Sequence, residues 1–465
     1  MEKLQIKISN HVKIVGALPS RAEGDLRDRL TFPNPKWIEN DKYGYWQGET
    51  PETLSFFQCG GAGYLIPRGF TNQLFQILDY YRLPYQVIDR TRILPEVEFN
   101  FKGTIRPYQD EAIEAIVGRR FGVLEAPPGA GKTIIGLATI ARRKQPVLIL
   151  THTKELLYQW QARAVQFLGM DKEEIGLIGD GKKNIGQKLT VGIVNSVLKL
   201  TDELRARISY LIIDECHRTP SRTFTEAVTG FDCRYMLGLS ATPYRRDGLT
   251  KLIFLHIGDR VHKIETRDLQ KEKAIMTARL VTRETGFKYD YRGPEDYQPM
   301  ITTLAEDESR NRLISRDVLN ASKNGNGVSL VISDRKEHCR TLAKMVSPYR
   351  LTRELYGDMN SKERKRIVGE LNQGKVKILV ATSQLIGEGF DLPSLSSLFL
   401  GTPIKFEGRV KQYVGRILRT DKGKEAPVIY DYLDRPGVLQ AAYKARLRAY
   451  KDVGIRNQGL EWLWN

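Results

Sequence analysis

Long apolar runs are missing from this 465-residue chain: no segment approaches the 18 consecutive apolar residues that a membrane-spanning helix needs. A helical membrane protein is therefore not expected. The start, Met1-Glu2-Lys3-Leu4-Gln5-Ile6-Lys7-Ile8, alternates like a strand and lacks the apolar block of a signal peptide. Cysteine is scarce. Cys59, Cys216, Cys233 and Cys339 are scattered and show no zinc-ligand spacing, which argues against both a zinc site and a disulfide framework. The thiols read as the reduced cysteines of a cytosolic protein. Internal repeats and low-complexity tracts are also absent.

Acidic charge is in short supply, and unevenly so. The net charge is +18, yet residues 1–100 carry 12 Lys+Arg against 12 Asp+Glu. Residues 101–258 carry 23 against 16, and residues 259–465 carry 38 against 27. The basic excess thus belongs to the last two thirds of the chain, where a polyanion is the natural partner.

From about residue 100, short β-branched runs alternate with helical stretches, the pattern of a parallel α/β sheet. Val147–Leu150, Val191–Val194, Leu211–Ile213 and Met236–Leu239 form one series of buried strands. Ser329–Ile332, Lys377–Val380, Ser397–Leu400 and Val428–Tyr430 form a second. Two similar α/β lobes are expected, at 101–258 and 259–440, with 259–325 hard to subdivide. Residues 1–100 read as a small α+β domain, with helices near Arg21–Leu30 and Thr71–Tyr81. Between them, Asn40–Trp46 is rich in turn formers and predicts a hairpin carrying exposed aromatics. Residues 441–465 read as a tail with Lys444, Arg446, Arg448 and Lys451, then Trp462 and Trp464.

Two half-motifs lie about 280 residues apart. Ala126-Pro127-Pro128-Gly129-Ala130-Gly131-Lys132-Thr133 follows a predicted strand, Phe121–Glu125, and precedes the helical Ile134–Arg142. Backbone N–H groups and a helix N-terminus in that setting cradle phosphates. Lys132 would neutralise the β/γ-phosphates of ATP, and Thr133 would ligate Mg2+. An alanine stands where the strict pattern has its first glycine. At the end of an apolar strand, Asp214 suits magnesium coordination and Glu215 water activation. The second half, Gln412-Tyr413-Val414-Gly415-Arg416-Ile417-Leu418-Arg419, offers two arginines whose fork geometry suits transferring phosphoryl oxygens. A site divided in this way is expected to open and close with each hydrolysis cycle.

With the intervening motifs in order, the chain resembles the superfamily 2 helicases and translocases over roughly residues 102–435. Arg106-Pro107-Tyr108-Gln109 matches the adenine-reading motif. The Thr151–Leu156 segment, with Thr153 and Lys154, and the Gly192–Ser196 segment, with Asn195, match loops that grip a nucleic-acid backbone. Ser240-Ala241-Thr242-Pro243 matches the motif coupling hydrolysis to strand movement, and His217 is expected to hydrogen-bond toward Ser240 or Gln412. Ala381-Thr382-Ser383-Gln384, continuing to Gly389-Phe390-Asp391, matches a further motif, in which Thr382 would contact DNA and Gly389 and Asp391 the nucleotide. The resemblance implies two RecA-like lobes, an ATP site built from Lys132, Asp214, Glu215, Gln412, Arg416 and Arg419, and movement along one strand, 3′ to 5′.

Motif VI reads Gln-x-x-Gly-Arg-x-x-Arg rather than the DEAD-box His-Arg-x-Gly-Arg-x-Gly-Arg, which favours DNA over RNA. Asn34-Pro35, Tyr43–Gly48 and Leu65–Gly69 look similar to the leader domain of the phage UvsW-type helicases. That implies remodelling of branched DNA: forks, four-way junctions, D-loops and R-loops. Trp37 and Trp46 would stack on unpaired bases, or else belong to the domain core. A cytoplasmic monomer is expected, in a host cytoplasm if phage-encoded, with recombination or replication proteins as partners. Two alternatives stay open: the motor subunit of a restriction or defence complex, and a non-catalytic DNA-binding or annealing protein.

Overall fold

The computed structural model describes residues 3–61, 63–218, 222–241, 248–324, 327–383, 392, 394–405, 407–421 and 423–455. The chain divides into two compact units, residues 1–126 with 131–264, and residues 127–130 with 265–465. Among the described residues no helix is long and apolar enough to cross a membrane.

In the first unit, the amino-terminal strand Leu4–Ile8 points Leu4, Ile6 and Ile8 inward. It pairs antiparallel with His11–Val15 and parallel with Tyr85–Asp89, setting Ile6 opposite Ile14. Gly63–Pro67 and Gln58–Gly60 complete a five-stranded sheet beyond His11–Val15. Helices Ser20–Leu30 and Thr71–Tyr80 bury Ala22, Leu26 and Leu30, and Leu74, Ile77 and Leu78, each at helical spacing. The expected hairpin is instead a helix, Pro35–Tyr43. Asn34 caps it by accepting the Lys36 amide, Pro35 occupies the first turn, and Gly44 closes it at φ 66°. These are start and stop signals for a helix, and they outweigh the turn propensity of Asn40 and Asp41.

An eight-stranded sheet follows in the order Lys182–Asn184, Gly176–Gly179, Leu189–Ile193, Val147–Thr151, Tyr210–Asp214, Tyr235–Ser240, Phe121–Glu125 and Arg260–Lys263. All neighbours are parallel except the first two. Helices cover both faces, which is why its central strands are nearly continuous apolar runs. The strand Arg260–Lys263 carries this unit to Ile264, beyond the boundary expected at 258. Its charged, half-exposed sequence carries no strand pattern.

The small domain is not separate from this lobe. Leu252 and Leu255, on helix Thr250–Ile257, complete its core. Buried Arg68 donates to the Cys233 carbonyl at 2.7 Å and the Ser9 carbonyl at 3.3 Å, with its guanidinium 5.5 Å from the Phe121 ring centre. Burial pulls its pKa down to about 10.

The second unit holds a six-stranded parallel sheet: Arg279–Glu284, Val428–Leu433, Leu395–Leu400, Val328–Ser333, Ile378–Thr382 and Thr352–Leu355. The difficult stretch after 264 therefore contributes an edge strand, followed by helices Tyr297–Glu306 and Glu308–Asn324. Residues 441–452 of the expected tail belong to helix Gly437–Asp452. Its Arg446, 1 % exposed, grips Asp431 with two bonds of 2.8 Å, and Tyr450 donates to the same carboxylate at 2.8 Å. Arg446 is thus a core residue, while Lys444, Arg448 and Lys451 face solvent. Trp462 and Trp464 lie outside the described residues.

Removing the buried guanidinium should loosen the amino-terminal domain. Arg68→Ala is expected to cost about 1.5–3 kcal/mol, the range for a hydrogen bond from a charged group. The measurement is a denaturant midpoint, with exposed Arg29→Ala as the neutral comparison.

Candidate nucleotide-binding site

In the first lobe the sequence-predicted residues converge on one edge of the parallel sheet. Strand Phe121–Glu125 ends at Ala126, whose amide donates to the Ser240 carbonyl at 2.9 Å. The loop then turns through Pro128, Gly129 (φ 88°), buried Ala130 and Gly131 (φ 79°) into helix Lys132–Arg143. Left-handed backbone at two positions makes glycine the fitting residue there. Gln109 lies over the loop, so close that a Cβ on Gly131 would come within 2.5 Å of its Nε2. The Gln109 Oε1 accepts the Arg106 amide at 3.0 Å, fixing the side chain's orientation at the start of helix Pro107–Val117. Lys132 folds back so that Nζ donates to the Ala126 carbonyl at 3.2 Å. Thr133 occupies the first turn of the helix, where free amides attract anions.

Asp214 ends the buried strand Tyr210–Asp214. Its Oδ2 accepts the Trp160 indole N–H at 2.8 Å and its Oδ1 accepts the Glu215 amide at 3.0 Å. Burial, and then the neighbouring Glu215 carboxylate, push the Asp214 pKa up to about 6, against the opposing pull of Trp160 and Lys132. Glu215 adopts φ 49°, a left-handed conformation uncommon for a glutamate. His217 Nδ1 lies 3.0 Å from Ser240 Oγ and 3.3 Å from Glu215 Oε2, joining the acidic pair to the end of strand Tyr235–Ser240.

A hydroxyl on the phosphate-loop helix and a buried carboxylate are hard oxygen donors of the kind magnesium uses. That ion completes its shell from water and substrate phosphates rather than a full protein cage. A carboxylate whose charge is penalised by burial gains from a divalent cation, so the residues present fit such an ion.

The loops expected to grip nucleic acid also leave the ends of strands, but their side chains are partly engaged. The Thr153 hydroxyl accepts the Leu156 amide at 3.2 Å as the cap of helix Lys154–Leu168. Lys154, exposed, pairs with Asp180. Asn195 is exposed on helix Val194–Val197, directly after strand Leu189–Ile193. In the amino-terminal domain Trp37 is half-buried, whereas Trp46 is 91 % exposed beside Tyr45 at 63 %, so Trp46 is no core residue.

In the second lobe, Gln412 and Arg416 sit four residues apart on helix Glu407–Ile417, and Arg419 follows its end. The helix is anchored from two sides. Tyr413 donates to the Ser383 carbonyl at 2.8 Å, just beyond Thr382 at the end of strand Ile378–Thr382, and Ser383 donates to Asp334. Lys411 pairs with Asp452 at 2.6 Å, and Arg448 with Glu407 at 2.9 Å, fastening it to helix Gly437–Asp452. The basic carboxy-terminal helix therefore supports the arginine-bearing one. Lys424 donates to the Ile417 and Arg419 carbonyls, both at 2.7 Å, and burial lowers its pKa to about 8. Thr242, Gly389 and Asp391 lie outside the described residues.

Trp160, Tyr413 and Lys424 escape a sequence reading. Trp160 occupies an apolar helix position that looks like any core tryptophan, and the other two fall between motif letters or beyond them.

A family model described as the res subunit of type III restriction enzymes matches residues 102–245. One described as the helicase conserved C-terminal domain matches residues 310–421. The DNA 3'-5' translocase XPB2 of Sulfurisphaera tokodaii is 27 % identical over 365 residues, covering 70 % of this chain and 80 % of its own length. Among solved structures, S. cerevisiae Dbp5 bound to RNA and ADP BeF3 aligns over 76 % of this chain and 88 % of its own. Its identity is 16 % and its TM-score 0.53. T4 UvsW aligns over 98 % of this chain and 99 % of its own, with 17 % identity and a TM-score of 0.44.

The raised pKa of Asp214 gives a pH signature. Its charge penalises the nucleotide-free fold above about pH 6 and disappears as the pH falls toward the unfolded value of 3.8. Asp214→Asn should therefore raise the melting temperature at pH 7.5, and the advantage should shrink toward pH 5. An advantage independent of pH would contradict the assigned burial penalty.

Proposed function

Because this chain belongs to the superfamily 2 helicases, we propose that it is an ATP-driven motor on DNA that remodels branched substrates. Its two parallel-sheet lobes are RecA-like. The observation that carries the hydrolytic reading is the meeting of Lys132, Asp214 and Glu215 at the phosphate-loop edge of the first sheet, with Gln109 set over the loop. On this reading Lys132 neutralises the terminal phosphates and Glu215 takes a proton from the attacking water. The water oxygen bonds to the γ-phosphorus as the bond to ADP breaks, and Arg416 and Arg419 stabilise the charge that develops. Thr133 and Asp214 would hold magnesium, which would further neutralise the phosphate oxygens. Through His217, Glu215 is tied to Ser240, the start of the motif assigned to coupling hydrolysis to movement.

DNA is the preferred polymer because of the arginine pattern in 412–419 and the basic surplus beyond residue 100. The similarity to XPB2, a DNA 3'-5' translocase, supports that choice and the expected polarity. Contacts from Thr153, Lys154, Asn195 and Thr382 to the backbone would give little sequence preference and strong salt dependence. The branched-substrate reading rests on the exposed Tyr45 and Trp46 in a domain of zero net charge, a surface better suited to stacking on unpaired bases than to covering phosphates. Recombination or replication proteins are the partners this activity calls for, with the chain acting as a monomer.

A second reading, the motor subunit of a restriction or defence complex, is favoured by the family description over residues 102–245.

The test is ATP-dependent strand separation on a fork, a four-way junction, a tailed duplex and an RNA–DNA hybrid. Fork and junction preference is expected. ATP turnover without strand separation would instead favour the second reading. Lys132→Ala should abolish turnover and unwinding while leaving DNA binding largely intact. Deleting residues 1–100 would strip the core shared with Leu252 and Leu255, so point changes are the cleaner probe of that domain. Tyr45→Ala with Trp46→Ala should weaken fork binding about tenfold, in line with the loss of base stacking, and leave the tailed duplex nearly unaffected. Equal losses on both substrates would remove the branch-recognition role.

A further inference from the structure

Trp160 stands at the junction of three elements that the motor reading keeps apart. It is 1 % exposed, in the second turn of helix Lys154–Leu168. That helix begins with Lys154 and is capped by Thr153, in the loop assigned to the nucleic-acid backbone. The indole N–H donates to Asp214 Oδ2 at 2.8 Å, while the Glu215 amide holds Oδ1 at 3.0 Å. Both carboxylate oxygens thus have a fixed donor, and each keeps lone-pair capacity for a further partner. The far edge of the same indole rests on Gly136, where an added Cβ would come within 2.9 Å of Trp160 Cη2. Gly136 lies on the helix that starts with Lys132 and Thr133. One rigid bicyclic side chain therefore touches the phosphate-loop helix, orients the acidic residue at the strand end and moves with the helix behind the gripping loop.

We propose that Trp160 is a positioning residue that sets the Asp214 carboxylate for magnesium and transmits engagement of the 151–155 loop to it. The proposal rests on the ATP-site reading and adds a route by which nucleic acid stimulates hydrolysis. The helix carries the displacement, and the indole N–H delivers it as a change in carboxylate orientation. Small shifts suffice, because partners that orient a metal ligand commonly alter metal affinity 10–100-fold when removed.

The test uses the full-length chain with two replacements. Trp160→Phe removes the N–H and one ring; benzothienylalanine incorporated at 160 keeps the bicycle and removes only the N–H. Binding of a non-hydrolysable fluorescent ATP analogue is followed by polarisation at increasing magnesium, with EDTA as the metal-free reference. Circular dichroism and melting without nucleotide establish that each protein is folded. Both replacements should raise the half-saturating magnesium concentration about tenfold and leave metal-free nucleotide binding unchanged. The ratio of DNA-stimulated to basal ATP turnover should fall as well. An unchanged magnesium midpoint in the benzothienylalanine protein overturns the positioning role. A shifted midpoint with an unchanged stimulation ratio overturns the transmission. Absence of magnesium-dependent binding by the unmodified protein would take down the ATP-site reading and this proposal with it, a failure distinct from the other two.

Discussion

Strands buried on both faces leave a protein only their ends for charge. In the first lobe Leu211, Ile212 and Ile213 are wholly enclosed, as are Leu239 in the strand beside them, Leu148, Ile149 and Leu150 on the other side, and Val123 and Leu124 one strand further on. An ionised group within those runs would pay a desolvation cost that no neighbour could offset. Polar chemistry is therefore confined to the edge where Glu125, Asp214 and Ser240 end their strands. Even there Asp214 is buried, and its charge is tolerated because an indole N–H, a backbone amide and the nearby Lys132 all favour it.

The second lobe meets the constraint differently. Its carboxylates at the end of strand Val428–Leu433 and just beyond it are neutralised internally, Asp431 by Arg446 and Asp434 by Arg310 at 2.9 Å. Pairs this deeply buried are costly to break from one side only, because the remaining charge has no solvent to return to. Their consequence is mechanical: Arg446 pins helix Gly437–Asp452, and that helix in turn fastens the helix that carries Arg416. Arginines offered to a phosphoryl group need such a mounting, because a long side chain is only as well placed as the backbone beneath it.

How much of this was legible depends on whether a residue's task shows in its neighbours along the chain. The buried strands were visible as apolar runs, and the phosphate loop as a glycine pattern between a strand and a helix. Glu215 and His217 could be picked out by position, whereas the 3.0 Å link from His217 to Ser240 needed the fold to bring two strand ends together. Trp160 was invisible because its partner lies 54 residues away and its apolar surroundings are those of any core tryptophan. The strand Arg260–Lys263 was missed because an edge strand need not be apolar, and helix Pro35–Tyr43 because its capping residues are also turn formers. Arg446 reads as one of four basic residues in the tail, and only its pairing with Asp431 places it in the core.

Nucleic-acid-stimulated ATP hydrolysis separates a DNA motor from its alternatives when measured with a forked DNA, a linear single strand and an RNA of matched length over a range of salt. Strong stimulation by DNA is expected, greatest with the fork and falling steeply as salt is raised. Stimulation by RNA alone, or turnover indifferent to any nucleic acid, would contradict it.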